Sequence, residues 1–308
     1  MMRREGFFLR NPLFYGCGTA LVTPFRGRRV DFDALENLID WQLGQGVDAL
    51  VLLGTTGEPA TITPPERSAI IECAAARVGG RAPLIVGTGS NDTAAAVRQA
   101  REAEQLGADG LLVVTPYYNR ASRRGLTEHY NAVADAVSLP IIMYNVPGRT
   151  GVNLEPATVA QLARHPNLCA VKDASGSLRQ LTDLAAACGD GVAVYSGNDD
   201  QVVPALALGA RGVISVASNV VPDRMHAMVE QWFRGDARAS LRGQLECLPL
   251  IRALFREVSP IPVKAALSLL GRIENTLRLP LCPLDEAEQE PLRRAMRGLG
   301  LLDAPARG

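Results

Sequence analysis

The sequence predicts a (β/α)8 TIM barrel with a C-terminal helical appendage, and three observations carry that prediction. Short apolar runs alternate with helical stretches eight times within about 220 residues. The runs are continuously apolar rather than alternating, as parallel strands covered on both faces require. Polar residues punctuate the end of every run, where barrels of this class carry their functional groups. A doubly wound sheet is the competing arrangement, and unbroken alternation through eight units disfavours it.

The elements follow in order. The first run is Thr19–Phe25, and Asp33 is placed to cap a helix over Ala34–Leu43, where Leu35, Leu38 and Ile39 recur at helical spacing. Gly44 and Gly46 stop it, and Ala49–Leu53 leads into Gly54-Thr-Thr-Gly-Glu58. A helix opens at Thr63-Pro-Pro-Glu66, with proline in the first turn where its missing N–H costs nothing, and runs to Val78. Pro83–Val86 ends in Gly87-Thr-Gly-Ser90, and a helix over Asp92–Leu106 closes with Gly107. Gly110–Val114 ends in Thr115-Pro-Tyr-Tyr-Asn119, ahead of a helix over Ser122–Val137. Pro140–Met143 ends in Tyr144-Asn-Val-Pro-Gly-Arg149, ahead of a helix over Glu155–Ala163. Leu168–Lys172 ends in Asp173-Ala-Ser-Gly176, ahead of a helix over Ser177–Cys188. Val192–Tyr195 ends in Ser196-Gly-Asn-Asp-Asp200, a short helix reaches Leu208, and Gly212–Val216 is the eighth run. The alternation then stops: Asp223–Phe233, Asp236–Phe255, Val263–Leu270 and Leu284–Arg297 read as helices, with Pro260, Pro262, Pro280 and Pro283 between the later ones. The expected division is an N-terminal extension over residues 1–14, a catalytic barrel over 15–233 and a C-terminal helical region over 234–308 packed on it.

Composition narrows the function. The chain has 308 residues, 47% of them hydrophobic, and 32 Lys+Arg balance 32 Asp+Glu. That balance, without a long basic run, argues against a nucleic-acid footprint or a basic membrane patch. Cys17, Cys73, Cys169, Cys188, Cys247 and Cys282 are scattered, so packing is their expected role rather than disulfides or zinc. His129, His165 and His226 fit no ligand spacing. Asn198-Asp199-Asp200 hints at a metal, but further ligands are missing, and its acids equally suit a helix start. The first ten residues are basic without an apolar core, unlike a signal peptide, and no stretch is long enough to span a membrane. A soluble cytoplasmic protein is expected.

The chain is organised around Leu168-Cys-Ala-Val-Lys172. Lysine occurs only at Lys172 and Lys264, arginine having taken every other basic position. A solvated charge is indifferent to that exchange. An amine nucleophile is not, because guanidinium stays protonated and forms no Schiff base. Lys264 follows Pro260-Ile-Pro262 outside the eight runs, so a structural role is expected for it. The run ends also collect Thr55, Thr56, Tyr117, Tyr118, Tyr144, Arg149, Ser196 and Asn198. This set suits carbonyl chemistry: an amine to attack a ketone, hydroxyls to move protons and an arginine fork to hold a carboxylate. Taken singly, each has a plainer reading. Gly54-Thr-Thr-Gly57 also reads as a tight turn, Tyr144 as a core aromatic and Arg149 as a solvated charge. In an extended backbone, Tyr117 and Tyr118 point opposite ways, so at most one faces a given site.

In combination, Gly54-Thr-Thr-Gly-Glu58, Thr115-Pro-Tyr-Tyr-Asn119, Tyr144-Asn-Val-Pro-Gly-Arg-Thr150, Val171-Lys-Asp-Ala-Ser-Gly176 and Gly212-Val-Ile-Ser-Val216 are far more specific. In that order, the chain resembles the 4-hydroxy-tetrahydrodipicolinate synthase (dihydrodipicolinate synthase) family of pyruvate-dependent class I aldolases, over residues 15–303. The resemblance implies a Schiff base between Lys172 and pyruvate, whose enamine attacks L-aspartate 4-semialdehyde. It implies Tyr144 as proton donor and acceptor, linked through Thr55 to Tyr118 from a neighbouring subunit. Thr56 and the Ile214 backbone would hold pyruvate, Arg149 the semialdehyde carboxylate, and Gly197 would line the site. It implies no metal or organic cofactor, and a homotetramer built from tight dimers. Lysine-sensitive bacterial members carry an acidic residue where this chain has Ala95 and a histidine where it has Arg67, so weak or absent lysine inhibition is expected. Sugar-acid aldolases of the same superfamily share the lysine, the tyrosine and the Gly-x-Thr-Gly-Glu turn; Tyr118 and Arg149 favour the synthase. A non-catalytic barrel is the reading from another class, and a barrel of that kind would trap no pyruvate adduct.

Overall fold

The computed structural model describes residues 12–303. Strands β1 (Gly16–Ala20), β4 (Ala49–Leu52), β5 (Leu84–Gly87), β6 (Gly110–Val114), β7 (Ile141–Asn145), β8 (Leu168–Asp173), β9 (Ala193–Ser196) and β10 (Gly212–Ser215) form a closed parallel barrel in chain order. Closure leaves no unpaired sheet edge. The (β/α)8 expectation holds, and the continuous apolar runs have the reason anticipated. One face of each strand packs inside the barrel, where Val51, Ile85, Leu112, Ile142, Ala170 and Ile214 share one cluster. The other face packs against the surrounding helices in a second cluster. Phe14 also belongs to the interior, stacked on Tyr195 at 4.4 Å and accepting its hydroxyl at the carbonyl oxygen, 2.7 Å away. The loose extension expected over residues 1–14 lies outside the described residues as far as residue 11.

Between the strands run α1 (Phe32–Gly44), α2 (Pro64–Val78), α3 (Thr93–Gln105), α4 (Arg123–Ala134), the single turn α5 (Pro147–Thr150), α6 (Pro156–Leu162), α7 (Leu178–Cys188) and α8 (Val202–Ala207). Their starts follow cap chemistry. Asp92 accepts from the Ala94 and Ala95 amides, Ser122 from Gly125 and Ser177 from Gln180, while Thr63 and Glu66 form a capping box. The helices α9 (Pro222–Phe233), α10 (Ala237–Leu254), α11 (Ile261–Leu269) and α12 (Glu286–Gly298) complete the chain. Of these, α10 packs on α9, α11 and α12. Among the described residues no helix is long and apolar enough to cross a membrane.

The opening of the chain differs from the sequence reading. The first strand is Gly16–Ala20, three residues earlier than the expected Thr19. Two glycines dilute its apolar signal, and Gly16 takes a φ of 123°, where a Cβ would strike the Asp48 carboxylate. Phe25–Arg26 (β2) and Arg29–Val30 (β3) instead form a small antiparallel hairpin. The cap of α1 is Asp31 rather than Asp33, accepting from the Ala34 amide at 3.2 Å, because the helix begins two residues sooner.

Candidate active site

Lys172 lies one residue before the end of β8, directly across the ladder from Tyr144 on β7. Both side chains are buried, at 5% and 6% exposure, and the Lys172 Nζ stands 4.4 Å from the Tyr144 ring centroid. Gly197 lies against the lysine stem. A Cβ there would come within 2.6 Å of the Ala174 Cβ and 3.1 Å of the Lys172 Cε, so the absent side chain is what leaves room for the lysine stem.

The strand around Lys172 is held by a polar network that sequence reading missed. Asp173 accepts from Asn145 Nδ2 at 2.9 Å, from Gln180 Nε2 at 2.8 Å and from the Ser175 amide at 3.1 Å. Asn145 in turn accepts from the Leu154 amide. The end of β7, helix α7 and the turn after β8 are thereby tied to the residue that follows Lys172. The signal available in the sequence was polarity at positions that continue two apolar runs. Asp199 is a second buried acid. It accepts from the Val216 and Ala217 amides at 3.0 and 2.8 Å. Burial pushes its carboxyl pKa up, against hydrogen bonds from Ser215 and the 216–217 backbone and the charge of Lys172. Among the described residues no group of three or more His, Cys, Asp or Glu side chains gathers as a metal site would need.

A cavity of about 710 Å³ opens beside Tyr144, and Thr55, Tyr117 and Arg149 line it as well. Lys172 is not among the lining residues; its amine lies over the ring of Tyr144, which is. Thr55 and Thr56 occupy a 3₁₀ turn over Thr55–Gly57, with Thr56 buried at 4% exposure. Ile214 is fully buried in the barrel interior, and the β9–β10 register ends one residue before it, at Val213. Arg149 sits on α5 with its Nη2 donating to the Ser259 carbonyl at 3.1 Å. The fold therefore gathers Lys172, Tyr144, Thr55, Arg149 and Gly197, while Thr56 and Ile214 are buried and do not line the cavity.

Tyr118 stands apart. It is 89% exposed, does not line the cavity and has a φ of 68°, so the Tyr117–Tyr118 pair is not the extended dipeptide assumed from sequence. Lys264 is fully buried in an ion pair with Glu58, the structural kind of role expected for it. The outer cavity wall carries Arg67, Ala95 and Glu102. Arg67 donates to the Gly87 carbonyl at 2.8 Å and lies 3.7 Å from Glu102. Burial draws its pKa down to about 10, against the pull of Glu102.

Comparison with known proteins agrees with this geometry. The model of the dihydrodipicolinate synthetase family matches residues 13–298. The chain belongs to that family. A 4-hydroxy-tetrahydrodipicolinate synthase of Alkaliphilus oremlandii (strain OhILAs) is 49% identical over 285 residues, covering 92% of this chain and 98% of the relative. A monomeric dihydrodipicolinate synthase variant superposes with a TM-score of 0.92 at 44% identity, over 94% of this chain and 98% of its own. The Cyanidioschyzon merolae enzyme with lysine bound gives a TM-score of 0.92 at 39% identity, over 95% and 100%.

Proposed function

We propose that Lys172, Tyr144, Thr55, Thr56, Arg149, Ile214 and Gly197, completed by Tyr118 from a neighbouring copy, carry out 4-hydroxy-tetrahydrodipicolinate synthesis. The observation that supports this most is the buried Lys172 amine 4.4 Å from the ring centroid of Tyr144, a residue that lines one cavity with Thr55 and Arg149. The amine attacks the ketone carbon of pyruvate and water leaves, giving a protonated imine. That imine withdraws electrons, so the methyl group loses a proton and becomes an enamine. The enamine carbon bonds to the aldehyde carbon of L-aspartate 4-semialdehyde. Attack by the semialdehyde's own amine on the imine carbon closes the ring and frees Lys172.

Tyr144 exchanges the protons of these steps, as a phenol held against the reacting amine can. Thr55 passes them towards Tyr118. Thr56 and the Ile214 backbone hold the pyruvate carboxylate. Arg149 offers its fork to the semialdehyde carboxylate. The exposure of Tyr118 fits a side chain that works in another copy's site, so we read the protein as a homotetramer of tight dimers. Light scattering tests this, and an active monomer with an intact relay would contradict it. Six free cysteines fit a reducing, cytoplasmic setting. The barrel occupies residues 15–233, and the C-terminal region packs against it.

The outer wall supports weak or absent inhibition by L-lysine. A cationic ligand there meets the Arg67 guanidinium, Ala95 supplies no carboxylate, and Glu102 is already engaged by Arg67 and Ser68. Inhibition at sub-millimolar L-lysine would contradict this. The decisive assay couples turnover of pyruvate and L-aspartate 4-semialdehyde to product detection, beside Lys172→Arg and Arg149→Ala. Turnover abolished in the first and weakened about 10- to 100-fold in the second is expected, the latter from one lost charge-assisted contact. No turnover with the semialdehyde, but a pyruvate adduct on the protein, would redirect the search to sugar-acid substrates.

A further inference from the structure

The second lysine is placed to do more than fill the core. Lys264 lies on α11, fully buried, and its Nζ donates to Glu58 Oε1 at 2.6 Å. The other carboxylate oxygen accepts from the Arg278 amide at 3.1 Å, so both ends of the Glu58 carboxylate are fixed from the C-terminal region. The ring of Phe25 lies 4.1 Å from the same ammonium. A compact ammonium suits this enclosed position, where a guanidinium would bring more donors than Glu58 can accept.

Glu58 closes the turn that carries Thr55 and Thr56. That turn is bracketed by two non-glycine residues in the left-handed region, Leu53 at a φ of 53° and Glu58 at 54°. Such conformations persist only where the surroundings over-determine them. Here the surroundings are visible: Thr23 donates to the Gly57 carbonyl at 2.7 Å, Arg278 donates to the Thr61 carbonyl at 2.8 Å, and Lys264 holds Glu58. The segment leading into α11 also accepts from Arg149 at the Ser259 carbonyl, so one stretch of chain meets both loops that line the cavity.

We propose that Lys264 is a positioning residue for the condensation: through its ion pair with Glu58 it holds the Leu53–Glu58 turn in the strained form that places Thr55 in the proton relay and Thr56 against pyruvate. This rests on the roles given above to Thr55 and Thr56. A buried pair kept for stability alone would be replaceable by neutral groups of similar volume without kinetic consequence.

The test uses the double variant Glu58→Gln/Lys264→Met, which removes both charges at once. The proposal predicts a folded protein that still traps pyruvate on Lys172 with borohydride at saturating pyruvate. Its KM for pyruvate rises at least tenfold and its kcat falls at least tenfold. A folded double variant with both constants within twofold of the parent overturns the proposal. If the double variant does not fold, Glu58→Gln alone decides, with the same rise in KM expected. Should every neutralised form unfold, the pair is structural only and the proposal falls. Thr55→Val and Thr56→Val in the parent chain separate the two claims. If Thr55→Val leaves kcat unchanged and Thr56→Val leaves the pyruvate KM unchanged, the assigned threonine roles fail. If the first lowers kcat and the second raises that KM while the double variant is silent, only the role of Lys264 fails.

Discussion

Lys172 and Lys264 are both buried and both stand over an aromatic ring, at 4.4 Å from Tyr144 and 4.1 Å from Phe25. Their partners differ. Lys264 holds the Glu58 carboxylate at 2.6 Å, whereas Lys172 makes no ion pair among the described residues. Bonding of the Lys172 amine to a carbonyl carbon therefore breaks no existing salt bridge. The same reaction at Lys264 would leave a buried carboxylate uncompensated. On the roles proposed above, what separates the nucleophile from the clamp is the commitment of the amine rather than its depth.

That contrast can be broken in order of size. Lys264→Met should destabilise the protein by about 3–5 kcal/mol, because it strands Glu58 in the core. Lys172→Met should cost less than about 1.5 kcal/mol, as an apolar replacement of similar volume. Denaturant unfolding of both variants checks this, and equal losses would erase the distinction. Gly197→Ala comes next. Its new methyl would press on the Ala174 Cβ and the Lys172 Cε, so kcat should fall by about 100-fold, the usual consequence of moving a reacting group by about 1 Å. A parental kcat would mean that packing does not place the amine.

The smallest effect belongs to the outer end of the clamp, where Arg278 grips Glu66 by paired contacts. Those contacts, with the Thr63 amide and hydroxyl, hold the Glu66 pKa down at about 2 from its usual 4.5. A carboxylate with a depressed folded-state pKa contributes stability above its unfolded value and loses it as the pH falls. The loss should run between about pH 4.5 and 2. It should stay below about 1 kcal/mol, since the Glu66 side chain is 25% exposed. Glu66→Gln should flatten that part of the stability profile, and an unchanged slope would remove Glu66 from the clamp.

The same contrast marks what the sequence makes legible. Lys172 could be read directly, because a lysine ending an apolar run in an arginine-rich chain is a local signal. The strand ends that bring Thr55, Tyr144, Arg149 and Gly197 together were equally local, each following its own run. The Glu58–Lys264 pair was not, since its members lie 206 residues apart and only barrel closure and the docking of α11 bring them together. The Asn145–Asp173 bond crosses neighbouring strands in the same way. Tyr118 shows a different limit: alternation assumes an extended backbone, and its φ of 68° breaks that assumption.

The most direct test is mass spectrometry of the peptides from protein treated with pyruvate and borohydride. The chain offers only two lysine side chains, so the answer is unambiguous. A single reduced pyruvate adduct on the peptide containing Lys172, with Lys264 unmodified, is the predicted result. An adduct on Lys264, or none on either, would contradict the account.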